Sequence, residues 1–183
     1  MLREKALESI KANVENPNMI KHMLATEAIM RALARRLGED EEVWGLTGLL
    51  HDIDVELTEG DMKAHSKLGA DLARELGAGE TIAHAILSHN EAHGIPLTTK
   101  LDKALFCADP LTGLITAAAM VHPDKKLAGL EAESVIRRFK EKGFAAGANR
   151  EQIAQCSQIG LELEEFIELG LKAMQGIAEE LGL

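Results

Sequence analysis

The chain has no tyrosine, one tryptophan and four phenylalanines among its 183 residues. So few flat rings leave little from which to build a stacking platform for single-stranded nucleic acid. Only two cysteines occur, Cys107 and Cys156, with no CxxC between them. Neither zinc-finger spacing nor a disulfide framework is available, and both read as reduced thiols of a cytoplasmic protein. No uninterrupted apolar run approaches the ~18 residues of a membrane span, so no membrane is expected as a partner. The first residues, MLREKALESIKANVEN, are amphipathic and of mixed charge without the apolar stretch of a signal peptide. Neither GxGxxG nor GxxxxGK followed by Ser or Thr occurs, so nucleotide binding through those loops is unsupported. Basic residues are also short, 20 Lys and Arg against 30 Asp and Glu, for a net charge of −10. A surface of that sign repels a polyanion, and no nucleic-acid polymer is expected to bind.

What is present is ordinary globular material, 46% hydrophobic and 27% charged. A chain of this length buries roughly 70% of its unfolded surface and needs no covalent staple. Apolar residues recur at three- and four-residue spacing almost throughout, which predicts helices. Asn16-Pro17-Asn18 opens a helix that closes at Leu37-Gly38. A second runs over Glu39–Asp52, followed by a looser stretch, Ile53–Met62. Further helices are expected over Lys63–Leu76, from Glu80 to about Ala92, and over Thr99–Val121, interrupted or kinked near Pro110. Ser134–Lys142 reads as a short basic helix, and Asn149 as the cap of a long C-terminal one. With no repeat or linker in view, the expectation is one all-α domain over residues 1–183, a compact bundle with a long C-terminal helix. A core at about 18–121 is followed by a helical extension at about 131–183.

The chemistry concentrates in histidines and aspartates spread over these helices. The run Val43-Trp44-Gly45-Leu46-Thr47-Gly48-Leu49-Leu50 ends in His51-Asp52, an imidazole and a carboxylate side by side, good ligands for a borderline divalent metal. Gly45 and Gly48 leave that helix face open to close approach by a neighbour. His22 lies on the preceding helix. Asp109 sits in the apolar stretch Ala104-Leu105-Phe106-Cys107-Ala108-Asp109-Pro110, where a lone buried carboxylate is costly and calls for a cation, donors or a proton. His65 and His89 interrupt two more helical patterns, so separate segments can converge on one polar centre.

The order His22, then His51-Asp52, then Asp109 resembles the H…HD…D signature of the HD superfamily of metal-dependent phosphohydrolases, carried most strongly by Leu49-Leu50-His51-Asp52-Ile53-Asp54. Ala64-His65-Ser66-Lys67-Leu68-Gly69-Ala70 and Ile86-Leu87-Ser88-His89-Asn90-Glu91 resemble the histidine elements of its two-metal members. The resemblance spans roughly Lys21 to Thr116. It implies a helical HD-type domain in which His22, His51, Asp52 and Asp109 hold one divalent ion, His65 and His89 add a second, and Asp52 bridges them. Asp52 and His51 then stand at the catalytic centre. The nitrogen-rich donor set suits Mn, Fe, Zn or Ni better than Mg alone. The implied activity is hydrolysis of a phosphate ester or anhydride of a small nucleotide or phosphorylated metabolite, by water that the metal activates. The sequence departs from the cyclic-dinucleotide branch of the superfamily, with Asn90 after His89 and no tyrosine in Gly94-Ile95-Pro96. Two other readings use the same scaffold: a di-iron oxygenase, and a non-catalytic nucleotide sensor.

Asp54, two residues past Asp52, is a candidate to order a ligand from behind. The stretch Asp124–Lys142 is net +2 while the rest of the chain is −12, so Lys125, Lys126, Arg137 and Arg138 are candidate phosphate contacts, against the simpler reading of a solvated face. His84, about 140° round the helix from His89, cannot face the same site and reads as structural. His93 could join only if the helix persists, and His122 reads as surface. Cys107 and Cys156 read as core. The tail after Asn149 is open to two readings, closing the core or presenting a face to a second copy of the chain.

Overall fold

The computed structural model describes residues 3–183; Met1 and Leu2, the start of the amphipathic segment read above, lie outside the described residues. Those described form ten α-helices and two short 3₁₀ turns, with no strand among them. α1 (Arg3–Asn13) leads into α2 (Pro17–Leu37). Asn16 caps α2 by accepting from the Asn18 amide, Pro17 takes the first-turn place where a missing N–H costs nothing, and Gly38 at φ 71° closes it. α3 (Glu41–Leu50) starts on Asp40, whose carboxylate accepts from the Val43 amide. α3 lies on α2 at Gly48, where a Cβ would meet the Thr26 backbone at 2.8 Å. The open face of this helix is therefore used for backbone contact at Gly48, while at Gly45 it admits the Arg31 side chain.

α3 stops at Leu50, so His51 and Asp52 stand just beyond it, at the head of a run of turns. The helix expected from Lys63 starts instead at Lys67, as α4 (Lys67–Glu75). The reason is local: Ser66 takes a left-handed φ of 72°, and its amide turns to the buried Asp54 carboxylate. α5 (Glu80–His89) ends earlier than Ala92 because Asn90 goes extended and caps the 3₁₀ turn Glu91–His93 through its own side chain. α6 (Lys100–Val121) runs unbroken through Pro110. Proline removes one ladder bond there, but Leu101–Ala108 on one side and Leu111–Ala119 on the other are largely buried and keep the helix from being interrupted. By length and composition α6 could cross a membrane, yet 61% of its apolar window is buried inside the fold, as for a central core helix.

α7 (Ala132–Lys140) is followed by α8 (Arg150–Ala154), the 3₁₀ turn Gln155–Ile159, α9 (Leu163–Gln175) and α10 (Ala178–Leu181). The long C-terminal helix is thus replaced by pieces. Asn149 does cap, through bonds from the Glu151 and Gln152 amides, but Gly160 at φ 82° turns the chain and α9 begins afresh. Its apolar side, Phe166, Ile167, Leu171 and Met174, packs into a core with Leu111 and Ile115 of α6 and Ile29 of α2. A second core gathers Ile10, Leu49, Leu50 and Ile86. α2 serves both, giving Met23 to the second and Ala25 to the first, and His22 lies at that seam. Cys107 and Cys156 are buried as free thiols, and burial pushes the Cys156 thiol up to about 11.

Candidate metal centre

Four imidazoles point one nitrogen inward, and in each case the other nitrogen is held by an oxygen. His51, fully buried, has Nδ1 2.8 Å from the Gly48 carbonyl oxygen. His89 has Nδ1 2.5 Å from the Ile86 carbonyl oxygen. A carbonyl can only accept, so both Nδ1 atoms carry the proton and both Nε2 atoms are left with a lone pair. His65 Nδ1 donates to Asp54 Oδ1 at 2.8 Å. His22 Nδ1 lies 2.8 Å from Thr112 Oγ1, whose own proton goes to the Asp109 carbonyl oxygen, so here too the ring donates.

The inward atoms meet two carboxylates. His22 Nε2 is 3.1 Å from His51 Nε2, 3.0 Å from Asp109 Oδ1 and 3.4 Å from Asp52 Oδ2. His51 Nε2 is 3.3 Å from Asp52 Oδ2 and 3.6 Å from Asp109 Oδ1. The other oxygen of Asp52, Oδ1, lies 3.4 Å from both His65 Nε2 and His89 Nε2. Asp52 therefore divides its two oxygens between two pairs of imidazoles. Ligand atoms of His22, His51 and Asp109 fall within 4.8 Å of one another, as do those of His51, Asp52 and His89.

Acceptor atoms facing acceptor atoms at such distances require a positive charge between them, supplied by protons or by a cation. The proton affinities show the demand. Burial works against an imidazolium at His22, yet its bonds with Asp109 and Asp52 push its pKa up to about 9. His65 is likewise opposed by burial and raised to about 9 by Asp52 and Asp54. His51 is raised well above its ordinary value and Asp52 is held well below its own, each against the pull of burial. A divalent ion would take over that role, and the donor chemistry, imidazole nitrogens with two carboxylates, fits one.

The support behind the ring of donors is equally specific. Asp54 is fully buried, and besides His65 it accepts from the amides of Ser66 and Gly69, both at 2.7 Å. A Cβ on Gly69 would sit 3.2 Å from that carboxylate, so glycine makes the approach possible. Asn90 is buried and donates to the carbonyls of Met62 and His65, tying the His65 loop to the end of α5. His93 turns its Nε2 to the His65 carbonyl at 2.6 Å and buttresses that loop from the 3₁₀ turn. Thr112, Asn90 and Gly69 were not evident from sequence: each acts through a fold contact, and only the neighbouring histidine elements hinted at them.

Solvent reaches the cluster from one side, where the side chains of His22 and Asp109 keep 23% and 29% of their exposure. One cleft there is lined by Asp52, His65, His89, Asp109 and, across its mouth, Gln152, which donates to Glu91 at 2.8 Å. The structure does not bring the basic segment to this opening. Arg137 and Arg138 line a separate small cleft with His122 and Ser134, Arg138 pairs with Glu141 and stacks on Phe144, and Lys125 and Lys126 are exposed. His84 faces Asp102 at 3.1 Å, apart from the cluster. His122 sits at the end of α6 beside Asp124.

The profile of the HD domain matches residues 19–118, more than half of the chain. Ribonuclease Y of Oleidesulfovibrio alaskensis is 29% identical over 151 residues, which cover 82% of this chain and 27% of that protein. Ribonuclease Y of Nitratidesulfovibrio vulgaris is 31% identical over 137 residues, 73% of this chain and 26% of that protein. A ribonuclease Y of Sulfurovum is 29% identical over 138 residues, with the same coverage. The chain spans about a quarter of the length of these curated relatives. No solved structure matches it. The relatives' name overturns the expectation of a small phosphorylated substrate and no nucleic-acid polymer. Net charge averages the whole surface, whereas a strand meets only one cleft, whose sign a bound cation would reverse. The chain belongs to the HD domain family, the metal-dependent phosphohydrolases whose H…HD…D order its sequence resembles.

Proposed function

We propose that this chain hydrolyses phosphodiester bonds of RNA, with divalent metal held by His22, His51, Asp52, His65, His89 and Asp109. The observation that carries the reading is Asp52, whose Oδ2 faces His22 and His51 while Oδ1 faces His65 and His89. A carboxylate divided in that way is suited to bridge two ions. Metal bound there supplies Lewis-acid charge for the phosphoryl oxygens and lowers the pKa of water. The remaining work falls to the chain. The Nδ1 bonds of His51 and His89 to backbone carbonyls fix both rings without any moving part. Thr112 and Asp54 do the same for His22 and His65. Asp109 stands at the open side, where a phosphate would enter. The names of the relatives, ribonuclease Y, supply the substrate class.

The test is metal analysis of protein purified without chelators, followed by cleavage of a labelled RNA oligonucleotide with Mn, Fe, Zn, Ni or Mg restored singly. Metal-dependent cleavage is expected, and Asp52→Ala is expected to abolish it with the helical circular-dichroism signal retained. Equal cleavage by chelated wild type, or by Asp52→Ala, would overturn the reading.

A further inference from the structure

A cavity of about 490 Å³, larger than either cleft on Asp109, lies not over the cluster but beside it, along α6. It shares His22, Thr112 and Gly113 with the cleft that opens on Asp109, so the two form one trough. On α6 the lining residues fall at Asp109, Gly113, Thr116 with Ala117, and Met120, one helical stripe leading away from the cluster. Gly113 lines both clefts. A Cβ built there meets nothing within 4 Å, so neither the packing of α6 nor its backbone requires glycine. In a helix interior glycine is unfavourable against alanine, so its presence leaves open space at a cost to the helix. Lys21, adjacent to His22 on α2, puts an ammonium on the same cavity, Asn18 and Thr116 add further polar groups, and Ala25, Ala117, Met120 and Leu181 make its apolar wall.

Resting on the function proposed above, we infer that this cavity is the subsite for the nucleoside joined to the scissile phosphate, and that Gly113 is its gate. The volume lies within the ~300–1,000 Å³ typical of small-ligand sites. Continuity with the cluster through His22 and Thr112 lets a phosphate at Asp109 and a base against Ala117 and Met120 belong to one nucleotide. Lys21 puts a cation on this cavity of an otherwise acidic chain, its Nζ beside Gly182, and the Thr116 hydroxyl is the one offered to the ribose, since Thr112 Oγ1 is held between His22 and the Asp109 carbonyl.

The test measures binding, so that it does not depend on turnover. Adenosine 5′-monophosphate and inorganic phosphate are titrated by calorimetry into Mn-loaded wild type and Gly113→Leu, with thermal unfolding of both. Wild type is expected to bind the nucleotide more tightly than phosphate. Gly113→Leu is expected to lose that preference by about tenfold or more while its unfolding temperature holds, because the new side chain enters open space. Lys21→Met is expected to weaken the nucleotide as well. Should wild type show no preference for the nucleotide, or should Gly113→Leu keep it, the subsite is refuted even where RNA cleavage by wild type is intact. Should cleavage fail but the preference be present and lost in Gly113→Leu, the subsite stands and the reaction is what must be revised.

Discussion

Asp54→Asn separates positioning from packing at this centre. The carboxylate is fully buried and accepts three bonds, from His65 Nδ1 at 2.8 Å and from the Ser66 and Gly69 amides at 2.7 Å. An amide has one oxygen to offer. If its NH₂ faced the two backbone amides, buried donors would oppose one another at about 1–3 kcal/mol each. The oxygen therefore keeps Ser66 and Gly69, and the NH₂ turns to His65. His65 Nδ1 must then accept, which moves the ring proton to Nε2, the atom 3.4 Å from Asp52 Oδ1. A protonated Nε2 cannot ligate. Losing the charge on two retained bonds costs roughly 1 kcal/mol each, about 2 in all. At ~2–4 °C per kcal/mol for a chain of this size, the unfolding temperature falls about 4–8 °C. Metal affinity at the position served by His65 and His89 falls about 10–100-fold, the usual effect of losing an orienting partner. The position served by His22, His51 and Asp109 holds. Calorimetric titration with Mn, fitted to two sites, reads both numbers. A variant that loses thermal stability but keeps both metal affinities would refute the tautomer argument and leave Asp54 as packing alone.

Three further outcomes follow from other parts of the molecule. Gly48→Ala places a Cβ 2.8 Å from the Thr26 backbone, which cannot yield as a side chain end could, so urea unfolding should show a loss of about 1–3 kcal/mol. Arg150 donates to the carbonyls of Arg138, Phe139, Glu141, Phe144, Ala145 and Ala148, and Ala145 and Ala148 form one wall of the cleft on Asp109. Arg150→Met should therefore loosen that wall, seen as faster amide exchange over residues 138–148 and a raised KM for RNA. Asp102 is opposed by burial, but amides of Thr99 and Thr98 and the His84 ring hold its pKa below the ordinary value. Its stabilisation is present above the unfolded pKa near ~3.9 and is lost as pH falls below it. The stability gap between wild type and Asp102→Asn should thus narrow from pH 5 to pH 3 in urea titrations.

How far the fold was legible depends on how local its causes are. Asn16, Pro17 and Gly38 bound α2 through contacts within four residues, and the sequence marks them directly. The start of α4 depends on Asp54, eleven and twelve positions before His65 and Ser66, and no periodicity reports that a carboxylate will hold the Ser66 amide in a left-handed turn. Pro110 does not interrupt α6, for the opposite reason. A proline rule weighs one lost bond, whereas α6 is held by burial along nearly its whole length. After Asn149 the apolar pattern continues past Gly160, and pattern alone could not show that the chain turns there.

The centre divides along the same line. His51 and His89 each donate to the carbonyl three residues back, at the ends of α3 and α5, where helices leave carbonyls unpaired. A histidine at the C-terminal end of a helix therefore comes with its acceptor, and the orientation of these two rings is written in the local sequence. His22 and His65 lack that local partner. Thr112 lies ninety positions from His22, and its hydroxyl is aimed by the Asp109 carbonyl, so one short piece of α6 both orients an imidazole and presents a carboxylate to it. The basic stretch after Asp124 shows the limit from the other direction. Counting charges located it correctly along the chain, but charge has no direction in a sequence, and α7 spends its arginines on Glu141, Phe144 and a cleft away from the cluster. On the function proposed, cationic help for a phosphate at this centre would then fall to the metal, while Lys21, next to His22 on α2, puts its charge on the neighbouring cavity.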